Sequence, residues 1–291
     1  MHIWPDCFPC ITKMFMEVVR ISMNDKQAIR AFTDAIGKQE PKDPDDFKIT
    51  SPEIIRNLWV MFQDISGIED PLKEVKKRQN DTALSLYPSI RGSVFMSGDP
   101  LASAIKFSIT GNAIDIMTTG AGQPVEEIIQ KLENFSLDPA NTEQFRKRLR
   151  QAKKLIFLGD NCGEIVFDKL LIEIIQEHYG SEVIFVTRAL PVLNDATLKD
   201  ALYAGMDTVT KTIENGIQQP LPGTIIEQLP QALQALLYGS DLVISKGGGN
   251  YDTLTEGDGL QEKISYLFQA KCRPYATICG VPLGSPAIVN R

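Results

Sequence analysis

Three short apolar runs in this chain each end in polar residues, and together those residues make a kit for binding a divalent cation and an anion. The first lies in Lys153–Glu164 (KKLIFLGDNCGE): Leu155–Leu158 reads as a buried strand, Gly159-Asp160-Asn161 follows, and a helix then opens. Asp160 and Asn161 offer a carboxylate beside an amide oxygen, the donors a hard cation such as Mg²⁺ or Mn²⁺ takes. The second follows the strand Val183–Thr187, in Pro191–Thr197 (PVLNDAT). Asp195 there is either a further cation ligand or the N-cap of the next helix. The third follows Leu242–Ser245 and reads Lys246-Gly247-Gly248-Gly249-Asn250. Successive glycines let backbone N–H groups close on an anion, and Lys246 adds a point charge for phosphate. The segment lacks the Gly-Lys-Ser/Thr of a P-loop and the glycine spacing of a dinucleotide fingerprint. Two carboxylates, an amide, a lysine and a glycine loop suit metal-assisted phosphoryl transfer or hydrolysis.

Other residues have a chemical and a structural reading side by side. Glu164 is an acid/base candidate or a favourable charge at a helix N-terminus. Asn112 and Asp115, in Gly111–Asp115 (GNAID), line a substrate pocket or form a helix-end turn with the Asn left-handed. Asp70 reads as an N-cap and Lys76 as a solvated helical lysine. Cys7 and Cys10 are half of a thiolate metal site, a redox pair, or helix-start thiols. A complete metal site there needs partners from Cys162, Cys272, Cys279 or His2.

The elements that must position these residues fall into two halves. The first half is helical: Cys10–Met23, Asp25 to Ile36 closed by Gly37, a helix N-capped by Ser51 with Pro52 in its first turn, and one from Asp70-Pro71 toward Leu86. Lys38–Thr50 reads as a connector, Ser97–Thr119 as mixed, and Pro124–Phe135 and Thr142–Lys153 as helices. From Lys154 strands and helices alternate. The strands expected are Leu155–Leu158, Val183–Thr187, Thr208–Thr210, Leu242–Ser245 and Tyr275–Cys279; the helices are Glu164–His178, Ala196–Tyr203, Thr224–Tyr238 and Leu260–Ala270. That alternation implies an α/β fold with a mostly parallel, doubly wound sheet. The expected division is a helical domain over 1–95 and a catalytic α/β domain over 96–291.

Composition excludes several classes. With 291 residues, 43% hydrophobic and 23% charged, the chain is an ordinary globular one with a sizeable core. Its net charge is −7, and the only basic runs, Lys73–Arg78 and Arg146–Arg150, sit in helical patterns, so no nucleic-acid partner is expected. No apolar run spans a bilayer and no signal-peptide pattern opens the chain, so no membrane partner and a cytoplasmic location are expected. Five cysteines, an odd number, argue against a disulfide framework, and two histidines against a histidine-rich metal site.

The motifs GDNCGE at 159–164, PVLNDAT at 191–197 and SKGGGNYDTL at 245–254 closely resemble those of the metal-dependent damage-control phosphatases, formerly a domain of unknown function numbered eighty-nine. The likeness extends to Asp70-Pro71 through Lys76, to Gly111–Asp115, to Lys271-Cys272 and to Cys7-x-x-Cys10, the last similar to the prokaryotic-type subfamily. It implies a helical N-terminal domain and a Rossmann-like three-layer α/β/α domain. It also implies hydrolysis of small phosphate esters, sugar phosphates or damaged phosphometabolites, with Mg²⁺, Mn²⁺, Co²⁺ or Ni²⁺. Carried over, Asp160, Asn161 and Asp195 would be metal ligands, Lys246 would hold the phosphoryl group, and Gly247 and Asn250 would surround it. The chain departs from the family pattern at Gly248, where glutamine is frequent, and at Asp252, where glutamate is frequent. In-line attack by metal-bound water is the expected mechanism, with an aspartyl-phosphate on Asp160 as the alternative. A haloacid-dehalogenase-type site would need Asp-x-Asp, and Asn161-Cys162 follows Asp160 instead. The competing function is a non-catalytic nucleotide- or metabolite-binding module, redox-responsive through Cys7 and Cys10.

Overall fold

The computed structural model describes residues 1–37, 48–111, 135–255 and 260–291. Three amphipathic helices lead the chain: α1 (Cys7–Ser22), α2 (Lys26–Gly37) and α3 (Ser51–Ser66). Their apolar stripes meet on Phe15, Phe32, Trp59 and Phe62, whose rings pack at tilted and edge-on angles. The N-cap of α3 is Thr50, one residue ahead of the expected Ser51. Glu53 reaches back to the Thr50 N–H (2.9 Å) and hydroxyl (2.8 Å), and that reciprocal box fixes the start.

Three further helices follow, α4 (Lys73–Met96), α5 (Pro100–Thr110) and α6 (Pro139–Gln151). Ala83, Leu86, Ile90 and Val94 of α4 join the core beneath the sheet, whereas Leu72 stays with α1–α3. The boundary between these two apolar clusters falls near the start of α4.

The remainder alternates: β1 (Lys154–Leu158), α7 (Glu164–Tyr179), β2 (Glu182–Thr187), α8 (Leu198–Tyr203), β3 (Lys211–Glu214), α9 (Gln231–Gly239), β4 (Leu242–Lys246), α10 (Gly247–Leu254), β5 (Ile264–Gln269), α11 (Arg273–Cys279) and β6 (Pro286–Asn290). The six strands lie in the order β3-β2-β1-β4-β5-β6, all parallel except β6, which runs antiparallel to β5. Both faces are buried. Leu155 and Phe157 of β1 point into one apolar cluster with α4, α5 and α7, and Ile156 and Leu158 point into another with α9 and α10. That two-sided burial explains why β1 reads as a continuous apolar run with no alternation. Among the described residues no helix is long and apolar enough to cross a membrane.

Four expected elements need correcting. Leu260–Ala270 is not a helix: after a short 3₁₀ turn (Gln261–Lys263) it forms β5, where Ile264, Tyr266, Leu267 and Phe268 are all buried, on both faces. Tyr275–Cys279 is not a strand but most of α11, started by Cys272 and Pro274 and closed by left-handed Gly280 (φ 64°). Thr208–Thr210 belongs to a 3₁₀ turn and its end, and the strand comes just after it, at Lys211–Glu214. Thr224–Tyr238 becomes helical only from Gln231, since Pro230 ends the preceding turn. The antiparallel edge strand β6 went unread. The helix expected over Pro124–Phe135 lies almost wholly outside the described residues.

The chain winds outward from β1 to β2 and β3, then returns to the other side of β1 with β4. The strand order therefore reverses between β1 and β4, and in such sheets the carboxyl ends at that switch point form the crevice where ligands bind. Asp160 follows β1 and Lys246 ends β4.

Candidate active site

Leaving β1, the backbone at Asn161 pairs with Asp195 in an isolated antiparallel bridge. Ala196 N donates to Asp160 O (2.8 Å) and Cys162 N to Asn194 O (2.8 Å), so the loops after β1 and β2 are stitched edge to edge. This brings Asp160, Asn161 and Asp195 together from two strand ends, all buried. Asn161 Nδ2 donates to Asp160 Oδ2 (2.8 Å), so the amide oxygen is the atom of Asn161 that could hold a cation. Asp195 is not the cap of α8. Thr197 takes that role, its N–H (3.0 Å) and hydroxyl (2.6 Å) both bonding Asp200 in a capping box, and the Asp195 carboxylate is left to the site. The loop that carries Asp195 is anchored in the α1–α3 core by Val192 and Leu193, the latter held at φ 47°.

The glycine segment takes a shape that spacing alone does not give. Gly247–Leu254 is a helix, so the glycines form its first turn, directly after β4. Each glycine is there because something presses against it. A Cβ on Gly247 (φ 80°) would lie 2.0 Å from Asp160 Oδ2, one on Gly248 2.4 Å from the Tyr275 hydroxyl, and one on Gly249 1.9 Å from Pro222 O. The first contact seats the Asp160 carboxylate against the α10 backbone. The second sets the Tyr275 hydroxyl in the space that a side chain at position 248 would need.

Two buried charge clusters face the crevice. In one, Arg188 Nε donates to Asp195 Oδ2 (2.7 Å) while its Nη2 lies 3.5 Å from Asp160 Oδ1. Burial, then the charges of Asp195 and Glu164, push Asp160 well above the usual carboxylate range. Burial also raises Asp195, against the pull of Arg188. In the other, Lys246 Nζ donates to Ser108 O (2.6 Å), Asp168 Oδ1 (2.7 Å) and Glu164. Burial opposes the charge on Lys246, but Asp168 and Glu164 outweigh it and hold the ammonium above its usual value. Asp168 is pushed up to about 6 by burial, against the pull of Lys246. Across both clusters four carboxylates face two cations, a buried surplus of negative charge.

Placed against expectation, Asp160, Asn161, Asp195, Gly247 and Glu164 converge on the crevice. Lys246 is there too, but with all three ammonium donors committed to the protein. Asn250 is fully buried and faces inward: its Oδ1 accepts from Arg188 Nη1 (2.9 Å) and Thr224 (2.8 Å), and its Nδ2 donates to Lys246 O and Gly159 O. Asn112 and Asp115 lie outside the described residues. Lys76 is buried rather than solvated, paired with Asp70 (2.6 Å) and Asp200 (3.3 Å) because α4 packs over α7 and α8. Cys7 and Cys10 open α1 with free thiols, and Cys272 at the head of α11 lies within electrostatic reach of both. Among the described residues no three His, Cys, Asp or Glu side chains gather closely enough to hold a metal.

Sequence reading missed Arg188 and Asp168. A signal existed for each: an arginine directly after an apolar strand, and an acid one helical turn after Glu164, set between the apolar runs Ile165–Phe167 and Leu170–Ile172.

The damage-control phosphatase ARMT1-like domain matches residues 3–286. The chain belongs to this family. It is 34% identical over 225 residues to a damage-control phosphatase of Archaeoglobus fulgidus, covering 76% of each chain. To an uncharacterized protein of Methanocaldococcus jannaschii it is 33% identical over 232 residues, covering 78% of this chain and 75% of that one. A damage-control phosphatase of Pyrococcus horikoshii is 26% identical over 286 residues, covering 98% and 96%. The fold superposes on a crystal structure of a member of this family from Pyrococcus horikoshii with a TM-score of 0.86, at 24% identity and over the whole of both chains. Family membership thus rests on sequence along nearly the whole chain.

Proposed function

We propose that this member of the family is a divalent-metal-dependent phosphomonoester hydrolase acting on small sugar phosphates or damaged phosphometabolites. The observation that carries the reading is the stitched pair of strand-end loops, which sets two buried, repelling carboxylates and an amide oxygen side by side. Their raised proton affinity marks a site short of positive charge, and their donors fit Mg²⁺, Mn²⁺, Co²⁺ or Ni²⁺. Asp160, Asn161 and Asp195 would hold the ion. When bound it would supply Lewis-acid neutralisation of the phosphoryl oxygens and a lowered pKa for a coordinated water.

The chain's own groups do the rest. Backbone N–H groups of the first turn of α10 face the same crevice and favour an anion there. Lys246 keeps Glu164 and Asp168 paired and holds positive charge at the end of β4. Asn250 ties the ends of β1 and β4 to Arg188. The net reaction is hydrolysis: water oxygen bonds to phosphorus, the ester P–O bond breaks, and a proton leaves with the alcohol. The named relatives support a phosphatase role. The strand order supports reading the fold as a Rossmann-like three-layer domain beneath a helical N-terminal part, and the Cys7-x-x-Cys10 start supports the prokaryotic-type subfamily.

The test is turnover of a generic phosphate ester by the purified chain, in chelator and with Mn²⁺ or Co²⁺ added. Metal-dependent release of phosphate that disappears in the Asp160→Ala, Asp195→Ala double variant is expected. Turnover kept by the double variant rejects the metal-ligand assignment, and turnover absent with every metal rejects the reading in favour of a non-catalytic module.

A further inference from the structure

We propose that Arg188, rather than Lys246, grips the phosphoryl group, its Nη2 edge supplying donors for the oxygens that gain charge during transfer. The inference rests on the phosphatase reading above and adds to it the group that recognises the transferred phosphate.

A guanidinium carries five N–H donors in a rigid plane. In Arg188 three are spent: Nε on Asp195 Oδ2 (2.7 Å), and Nη1 on Gly223 O (2.9 Å) and Asn250 Oδ1 (2.9 Å). The two on Nη2 are not. Nη2 is buried without a hydrogen bond, in a side chain only 3% exposed, and it faces Asp160 Oδ1 across 3.5 Å. A buried charged donor left unmatched is costly, so its persistence calls for a partner supplied from outside the protein. The direction it faces, beside the carboxylate proposed to hold the cation, is where the substrate's phosphoryl group must lie.

Lys246 differs in this respect. An ammonium has three donors, and here all three are engaged, by Ser108 O, Asp168 and Glu164. To reach a phosphate it would have to abandon at least one buried partner. Arg188 would abandon nothing.

The frame around Arg188 is also fixed before any ligand arrives. Asn250 is held by Thr224, Gly159 and Lys246, and Gly223 is pressed against Thr253, where a Cβ would come within 2.8 Å. A donor fork held rigidly in a dry crevice stabilises developing charge without reorganising, and a planar fork matches two phosphoryl oxygens.

The test uses Arg188→Lys and Arg188→Gln, with three probes: Mn²⁺ alone, inorganic phosphate, and orthovanadate. In Arg188→Lys, Mn²⁺ binding followed by electron paramagnetic resonance should stay within a few-fold of wild type. Its kcat should fall by roughly 10²–10³-fold, the usual cost of one preorganised oxyanion donor, with KM changing less. Phosphate and vanadate inhibition should weaken alongside. Wild-type kcat and phosphate affinity in this variant would overturn the proposal. So would loss of Mn²⁺ affinity in proportion to kcat, which would make Arg188 a holder of the carboxylates only. If both variants unfold by circular dichroism, the wild-type protein crystallised with Mn²⁺ and vanadate decides. A vanadate oxygen within about 3 Å of Nη2 supports the proposal, and vanadate seated on Lys246 with Nη2 unengaged overturns it. A wild type that binds phosphate through Arg188 without turning over esters would reject the phosphatase reading and leave the anion grip standing; turnover untouched by either substitution would do the reverse.

Discussion

The two buried clusters at the crevice are built from the same parts, one cation and two carboxylates, yet they are finished differently. Around Lys246 every ammonium donor has a partner, and Asp168 Oδ1 takes a second bond from Ser108 (2.7 Å), although its Oδ2 is buried without one. Around Arg188 part of the fork is unspent, which is the difference between the two, since buried acids sit above their ordinary proton affinity in both. The difference teaches how to tell a brace from a site. A buried cation with every donor engaged braces its surroundings, whereas one with donors left over can still take a ligand. A third set, Lys76 with Asp70 and Asp200 beneath the α8 cap, belongs with the braces.

The comparison breaks most readily at Lys246. Lys246→Met strands Glu164 and Asp168 without a cation, and should cost about 3–5 kcal/mol of stability by chemical denaturation. A much smaller loss would mean that the Lys246 cluster is not a brace.

At the other cluster the expected sign is reversed. Asp160 is costly to ionise where it is buried, so Asp160→Asn should leave the metal-free protein as stable as wild type at pH 7, or more so. The same substitution should abolish the stabilisation by Mn²⁺, which in wild type should reach about 2.7 kcal/mol at a concentration a hundred times the dissociation constant. A melting temperature raised equally by Mn²⁺ in both proteins would contradict the ligand assignment.

Asp168 sharpens the contrast through pH. Its folded pKa of about 6 lies above its ordinary 3.8, so the folded state holds the proton more tightly. Stability from this group is therefore fully present below about pH 4 and is lost as pH rises toward 6. Asp168→Asn should remove that part of the slope from the metal-free protein, read as denaturation midpoints across the window. An unchanged slope would place the titration elsewhere.

The smallest effect concerns the cap that leaves Asp195 to the site. Thr197→Ala should cost about 1 kcal/mol of stability, a typical loss for an N-cap hydroxyl. It should leave Mn²⁺ binding nearly unchanged; a collapse of Mn²⁺ affinity would show that the cap and the ion site are one unit.

Much of this was legible in advance where local chemistry is unambiguous. β1, β2 and β4 each centre on a short apolar run (Leu155–Leu158, 183–186, 242–244), and β1 and β4 break at once into Gly159-Asp160-Asn161 and Lys246-Gly247. The start of α3 was equally plain from Ser51 and Pro52, to within the one residue by which Thr50 takes the cap. β5 was misread because Ile264 and Phe268 are four apart and mimic a helical stripe, while the burial of Tyr266 and Leu267 between them depends on what covers the other face. α11 was misread although Pro274 and Gly280 bracket it, because its apolar run suits either form.

The sequence by itself determined which residue types end the strands, and so the chemistry on offer: oxygen ligands after β1 and β2, a cation and small residues after β4. Only the tertiary structure decided which cation is engaged and which is not. Lys246 and Arg188 are both basic residues at strand ends. Their donors are counted off by Ser108, Glu164, Asp168, Gly223 and Asn250, which come from four separate stretches of chain. Hydrogen-bond saturation belongs to the packed neighbourhood, since each donor is satisfied or left over only once those distant segments have closed around it.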